Sequence, residues 1–152
     1  MGRMIPPDDA SSAPSGALRI GVLEDDPVLR EQILLPTLRE HGFQAHGAGT
    51  AAELYRLMLG QRFDMVLLDI GLPDESGLDV VRHLRGLFPG LGIVMLTGSR
   101  GRDKRVRALV DGADAFLAKP VEADVLVATL RSVSRRLAPA VVEPSPPPRA
   151  AR

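Results

Sequence analysis

Cysteine and tryptophan are absent from the 152 residues, and aromatic side chains of any kind make up 3%. Without cysteine there is no disulfide, no thiol nucleophile and no thiolate-bound zinc, which fits a reducing, cytoplasmic setting. With so few rings, the core must be assembled from Leu, Val, Ile and Ala. An excess of charge is missing too: Lys plus Arg and Asp plus Glu are 19 each. No net field therefore draws the chain to nucleic acid or anionic lipid, and DNA binding is expected only through a domain outside this chain. No apolar run is long enough to cross a bilayer, so no membrane partner is expected. Met1 to Gly16, with Pro6, Pro7, Asp8 and Asp9, lacks the apolar block of a signal peptide.

What is present is 45% hydrophobic and 25% charged residues, the composition of a globular domain with enough apolar surface to bury a core. Residues 1–17 read as a disordered N-terminal segment. Residues 138–152, with Pro139, Pro144, Pro146, Pro147 and Pro148, read as a Pro-rich tail or linker. That leaves 18–137 for one domain.

Within it, Ala17 to Leu23 is an apolar run closed by Glu24, Asp25, Asp26 and Pro27, which predicts a buried strand ending in carboxylates. Asp26 and Pro27 form an N-cap and first-turn pair for a helix from Pro27 to His41, ended by Gly42. Pro36 in its interior predicts a kink. Phe43 to Ala48 is a second strand, and Thr50 with Glu53 makes a capping box for a helix that Gly60 terminates. Phe63 to Ile70, FDMVLLDI, is a third strand, apolar but for Asp64 and Asp69. Then follow a helix over Leu78 to Phe88, a strand over Gly92 to Leu96, a helix over Arg102 to Asp111, a strand over Ala115 to Ala118 and a helix over Glu122 to Leu137. Strands alternating with helices, apolar without period-2 alternation, imply an α/β fold: a (βα)₅ doubly wound parallel sheet with helices on both faces. Sites in such sheets form beyond the C-terminal edge of the strands.

Polar residues gather at that edge: Glu24 and Asp25 after the first strand, Asp69 at the third, Thr97 after the fourth, Lys119 after the fifth. Clustered carboxylates raise one another's pKa unless a cation sits among them, and hard oxygen ligands suit Mg²⁺. A carboxylate can act as nucleophile toward a phosphoryl group, a transfer catalysed mainly by positioning and charge neutralisation. Taken singly, an Asp after a strand is usually a helix cap and a Lys-Pro usually a turn. Together, all at strand ends, they point to phosphoryl chemistry at Asp69, with Mg²⁺ as cofactor.

In VLEDD, VLLDIGLPDESG, VMLTG and GADAFLAKP, the sequence resembles the receiver domain of bacterial two-component response regulators, over about Leu18 to Leu137. The resemblance implies a flavodoxin-like strand order 2-1-3-4-5. It implies that Asp69 is the phosphoacceptor, served by a sensor histidine kinase, with Asp25 a direct Mg²⁺ ligand, Glu24 a ligand through water and the Gly71 backbone carbonyl a further one. It makes Thr97 and Phe116 a switch pair, Lys119 a phosphoryl-binding cation, Gly98 a spacer, the Lys119–Pro120 bond cis, and Gly71 and Ser99 the residues that tune phosphoryl lifetime. The output face would be Arg102 to Asp111, Ala115 to Ala118 and Glu122 to Leu137.

GADAFLAKP followed by a helix ending SRRL looks like the winged-helix, OmpR/PhoB-like transcription-factor branch, whose receivers form homodimers through that face. Arg105, Asp111 and Arg136 match part of its charged network. Ala115, Val125 and Thr129 stand where the branch places charged partners, so the usual set of inter-subunit salt bridges is incomplete. The expected function is a phosphorylation switch regulating transcription through a DNA-binding domain absent from this chain. The alternative is a stand-alone receiver in a phosphorelay or docking on another protein, and whether the gene continues past Arg152 discriminates them. An aspartyl phosphatase would want a second Asp where Gly71 stands, and EDDP offers no glycine-rich loop for a nucleotide. His41, His46 and His83 lie on different elements without ligand spacing and read as surface or helix-end residues. The basic run of Arg100, Arg102, Lys104, Arg105 and Arg107 reads as a solvated face. No enzyme activity on a separate substrate is expected.

Overall fold

Neighbouring residues of a strand point to opposite faces, so a strand that is apolar throughout must be covered on both sides. The computed structural model describes residues 16–69, 74–98, 109 and 111–137, and its central sheet meets that requirement. β1 (Arg19–Leu23), β2 (Gln44–Ala48), β3 (Met65–Leu68), β4 (Gly92–Thr97) and β5 (Ala115–Ala118) are all parallel, in the order β2-β1-β3-β4-β5. This is the flavodoxin-like order.

The two faces divide the apolar residues strictly by parity. Ile20 and Val22 of β1, Met65 and Leu67 of β3, and Val94 and Leu96 of β4 pack with Leu34, Leu35 and Leu38 of the first helix and with Leu126, Leu130 and Val133 of the last. Leu23, Val66, Leu68, Ile93 and Met95 pack on the opposite side, with Leu54, Val80 and Leu84 of the two middle helices. Each such side chain, fully buried, contributes about 1.5–3 kcal/mol relative to exposure.

The first helix departs from expectation. It is not a kinked α-helix: a π-helical turn, Leu29–Leu34, leads into α1, Leu35–Glu40, and the Leu35 N–H donates to the Arg30 carbonyl five residues back. Pro36 explains the change. An α-helix would need its missing N–H on the Gln32 carbonyl and would press its ring against that oxygen; the widened turn removes both demands, and Pro36 becomes a first-turn residue of α1, where proline is tolerated. Gly42, at φ +92°, ends the helix as expected.

α2 (Ala51–Gly60) begins at Thr50, whose hydroxyl accepts from the Glu53 N–H at 3.1 Å. The Glu53 carboxylate reaches one residue further back than in the standard box, to the Gly49 N–H at 2.6 Å. Gly60 is the last helical residue and not a cap beyond it. α3 spans Gly77–Leu87 and α4 spans Ala123–Leu137. β3 is shorter than read from FDMVLLDI. Asp64 lies just before it, its N–H donating to the Arg19 carbonyl while its carboxylate, in place of a backbone carbonyl, accepts from the Arg19 N–H. The helix expected over Arg102 to Asp111 falls largely outside the described residues.

Close packing of α4 on the sheet has a direct test. A Cβ at Gly92 would lie 2.6 Å from the Met65 Cγ and 3.2 Å from a Leu137 methyl. Gly92→Ala is expected to cost about 1–3 kcal/mol through overpacking. In a Met65→Ala background the same change should cost less, as a double-mutant cycle by urea unfolding would measure.

Candidate functional site

The register brings the strand ends level. Leu23 pairs with Ala48 and Leu68, Leu68 with Met95, and Thr97 with Ala118. The residues that follow therefore emerge at one mouth: Glu24 and Asp25 after β1, Asp69 after β3, Gly98 after β4 and Lys119 after β5. The Glu24 N–H donates to the Ala48 carbonyl at 3.0 Å and the Asp69 N–H to the Leu23 carbonyl at 3.1 Å, so both residues are pinned by backbone as they leave the sheet.

Carboxylate oxygens of Glu24, Asp25 and Asp69 lie within 4.8 Å of one another; Glu24 and Asp69 are buried and Asp25 is exposed. Lys119 spans the two buried ones, its Nζ 2.8 Å from Glu24 Oε1 and 3.2 Å from Asp69 Oδ2. Burial pushes the Glu24 pKa up, and the hydrogen bond from Lys119 offsets only part of that push. Burial alone would pull the Lys119 pKa down. The hydrogen bond to Glu24 and the Asp69 charge outweigh it, so the ammonium group is held above its usual range and stays charged at neutral pH. The donors are hard oxygens, one acidic residue opens to solvent, and their spacing suits a single small divalent cation: the residues present fit Mg²⁺.

The neighbouring turn is built to hold this arrangement. Asp26 caps the first helix, accepting from Val28 N–H at 3.0 Å, while its own N–H donates to Glu24 Oε2 at 3.1 Å. The Lys119–Pro120 peptide is cis, as expected. Phe116 is half-buried against the α2–α3 side of the core. Among the described residues, a Cβ at Gly98 would meet nothing within 4 Å. Gly71, Ser99 and the Thr97 hydroxyl lie outside what the structure describes, as does the basic run from Arg100 to Arg107. Asp111 turns inward, its carboxylate 3.6 Å from the Arg82 guanidinium of α3.

Three features were not read from the sequence. Asp74, beyond β3, caps α2 from a distance: its two oxygens accept from Ala51 N–H at 3.0 Å and Ala52 N–H at 3.1 Å. Glu75 accepts from the Tyr55 hydroxyl at 3.1 Å and sits 2.8 Å from His83 Nδ1. Together they tie the loop after β3 to α2 and α3. Arg30 reaches from the π-helical turn to the Glu24 carbonyl at 2.6 Å. Acidic residues in a loop, or an arginine on a helix, carry no local signal of such remote partners. Of the histidines, His41 is at a helix end and His83 is exposed, as read, whereas His46 is half-buried on β2, edge-on to Phe63 with ring centroids 6.0 Å apart.

A model of the response regulator receiver domain matches residues 20–131. Among curated proteins the chain is 37% identical over 115 residues to the probable transcriptional regulatory protein TcrX of Mycobacterium tuberculosis, covering 76% of this chain and 49% of that one. It is 36% identical over 133 residues to the phosphate regulon transcriptional regulatory protein PhoB of Escherichia coli, covering 84% and 56%. The chain thus spans about half the length of the curated relatives it matches. Among solved structures, a CheY-like receiver domain protein from Methanospirillum hungatei superposes with TM-score 0.76 at 28% identity, covering 80% of this chain and 97% of that one. No described helix is long and apolar enough to cross a membrane.

The bonds from Ala51 and Ala52 hold the Asp74 carboxyl below its usual pKa. A lowered folded-state pKa stabilises above the unfolded value and ceases to as pH falls through the folded one. Asp74→Ala is accordingly expected to lower Tm at pH 7, with the deficit relative to wild type shrinking as pH drops into and below the carboxylate range, followed by circular dichroism.

Proposed function

This chain belongs to the response regulator receiver domain family, and on that footing we propose that Asp69 accepts a phosphoryl group from a sensor histidine kinase and that the domain, taken as residues 18–137, relays the event to a transcriptional output. The observation that carries the reading is the Lys119 ammonium held between the Glu24 and Asp69 carboxylates at the mouth of the sheet.

An Asp69 oxygen forms the new bond to phosphorus as the bond from phosphorus to the donor breaks. With its N–H on the Leu23 carbonyl, Asp69 follows the apolar strand β3 and sets its carboxylate at the mouth of the sheet beside Lys119. Lys119, already paired with Asp69, is placed to follow the negative charge onto the phosphoryl oxygens. Glu24, Asp25 and Asp69, with the Gly71 carbonyl, would hold Mg²⁺, which when bound supplies positive charge to the phosphoryl oxygens. The Thr97 hydroxyl and the Phe116 ring form the switch pair, and Gly71 and Ser99 set how long the modification lasts.

The output face is that of β5 and α4 with the preceding Arg102 to Asp111 segment. The relatives' names support transcription as the output; DNA binding through a domain outside this chain and a homodimer through that face are our reading of the likeness to the winged-helix branch. A second reading, a receiver that acts in a phosphorelay or by docking on another protein, is favoured by the face itself. Asp111 is engaged by Arg82, and Val125 is exposed where that branch of the family carries charge.

Incubation with a small phosphodonor and Mg²⁺ is expected to add one phosphoryl mass to the wild-type protein and none to Asp69→Ala, by intact mass spectrometry; chelating the metal should abolish the addition. An unmodified wild type or a labelled Asp69→Ala variant would refute the assignment. Lys119→Ala should still fold and should label far more slowly.

A further inference from the structure

The turn that carries Glu24 and Asp25 leaves the sheet after the Glu24 N–H has been used on Ala48, so the buried Glu24 carbonyl needs a donor from elsewhere. Arg30 supplies it. Its Nη1 lies 2.6 Å from that oxygen, its Nε 2.9 Å from Glu31, and its side chain is only 16% exposed.

The guanidinium reaches this position because of the π-helical turn. Five residues at 3.6 per turn would leave Arg30 and Leu35 about 140° apart around an α-helix. In the wider turn, where the Leu35 N–H meets the Arg30 carbonyl, both side chains come to lie over one spot on β2. A Cβ at Gly47 would be 3.0 Å from the Arg30 Cδ and 3.0 Å from a Leu35 methyl. A Cβ at Gly49 would be 3.1 Å from Arg30 Nη1. Glycine at both places leaves the arginine its track across the strand to Glu24.

We propose that Arg30 is a positioning residue of the acidic pocket: by fixing the Glu24 carbonyl from behind, it sets the direction of the Glu24 and Asp25 carboxylates and so the pocket's affinity for Mg²⁺. The inference rests on the reading of Glu24, Asp25 and Asp69 as the metal site. Arg30 touches neither metal nor phosphoryl group; it acts through the turn. Groups that orient ligands in this way typically change metal affinity by tenfold or more when removed.

The test is Mg²⁺ binding to the full chain by isothermal titration calorimetry, without any phosphodonor, for wild type, Asp25→Asn, Arg30→Met, Arg30→Lys and Gly49→Ala. Arg30→Met is expected to weaken Mg²⁺ on the order of tenfold, and Arg30→Lys to recover part of the loss. Gly49→Ala, which keeps the arginine but crowds its head group, should weaken binding as well and covers the case in which Arg30→Met fails to fold. A purely structural role would instead lower Tm in chelator while leaving the Mg²⁺ dissociation constant of the folded protein unchanged. Wild-type affinity in folded Arg30→Met, or in Gly49→Ala if Arg30→Met does not fold, overturns the proposal. If wild type binds Mg²⁺ and Asp25→Asn does not, such a result removes the Arg30 inference alone; if wild type binds none, or Asp25→Asn binds as well as wild type, the metal-site reading falls and takes the inference with it.

Discussion

Two buried carboxylates, Glu24 and Asp69, share one ammonium group, and the rest of the structure serves that arrangement. Negative groups brought this close at an apolar edge repel one another, and burial weakens the hydration that would otherwise compensate each. Lys119 answers both problems because β5 delivers it level with the ends of β1 and β3. Its charge is retained despite partial burial because its partners hold it, and the raised pKa of Glu24 records that the compensation is incomplete. A site left short of positive charge in this way, with hard oxygen donors close together, suits a small divalent cation.

Holding such a site together requires a stiff frame. The parallel sheet supplies it, since the central strands are locked from both faces by separate groups of apolar side chains. The loops beyond the strand ends are then tied down by polar contacts: Asp26 to the first helix, Asp74 to the start of α2, Glu75 to Tyr55 and His83. The core is apolar and insensitive to the chemistry at the edge, whereas the edge is polar and depends on the core for its geometry.

Much of this was legible in the residues alone, for identifiable reasons. β5 was read to its exact ends because Gly112 to Asp114 and Lys119-Pro120 bracket it with turn chemistry, and the acidic residues stood out because they close apolar runs. The first helix differs because an interior proline predicts a kinked α-helix, whereas the chain accommodates Pro36 with one wider turn. Gln44 and Met65 begin their strands later than the apolar pattern suggested, since the side chains of Phe43 and Phe63 are buried without their backbones joining the ladder. The distant caps and the arginine clamp were invisible for another reason. Asp74 with Ala51, and Arg30 with Gly47 and Gly49, are neighbours only after the strands have been ordered, and no local pattern announces which loop will meet which helix end.

The parity of the two faces has a further implication for how such a sequence can drift. Successive residues of β3 answer to different helices, Met65 and Leu67 to α1 and α4, Val66 and Leu68 to α2 and α3. A change in bulk on one face therefore presses the strand toward the other, and the shift is carried to its C-terminal end, just before Asp69. Like the mount of a lens, the strand translates small shifts at its rim into misalignment at the focus. Variants far from the acidic edge can then shift the Asp69 carboxylate against Glu24, Asp25 and Lys119 without touching any of the four, and the bulk of the core becomes part of the geometry of the pocket.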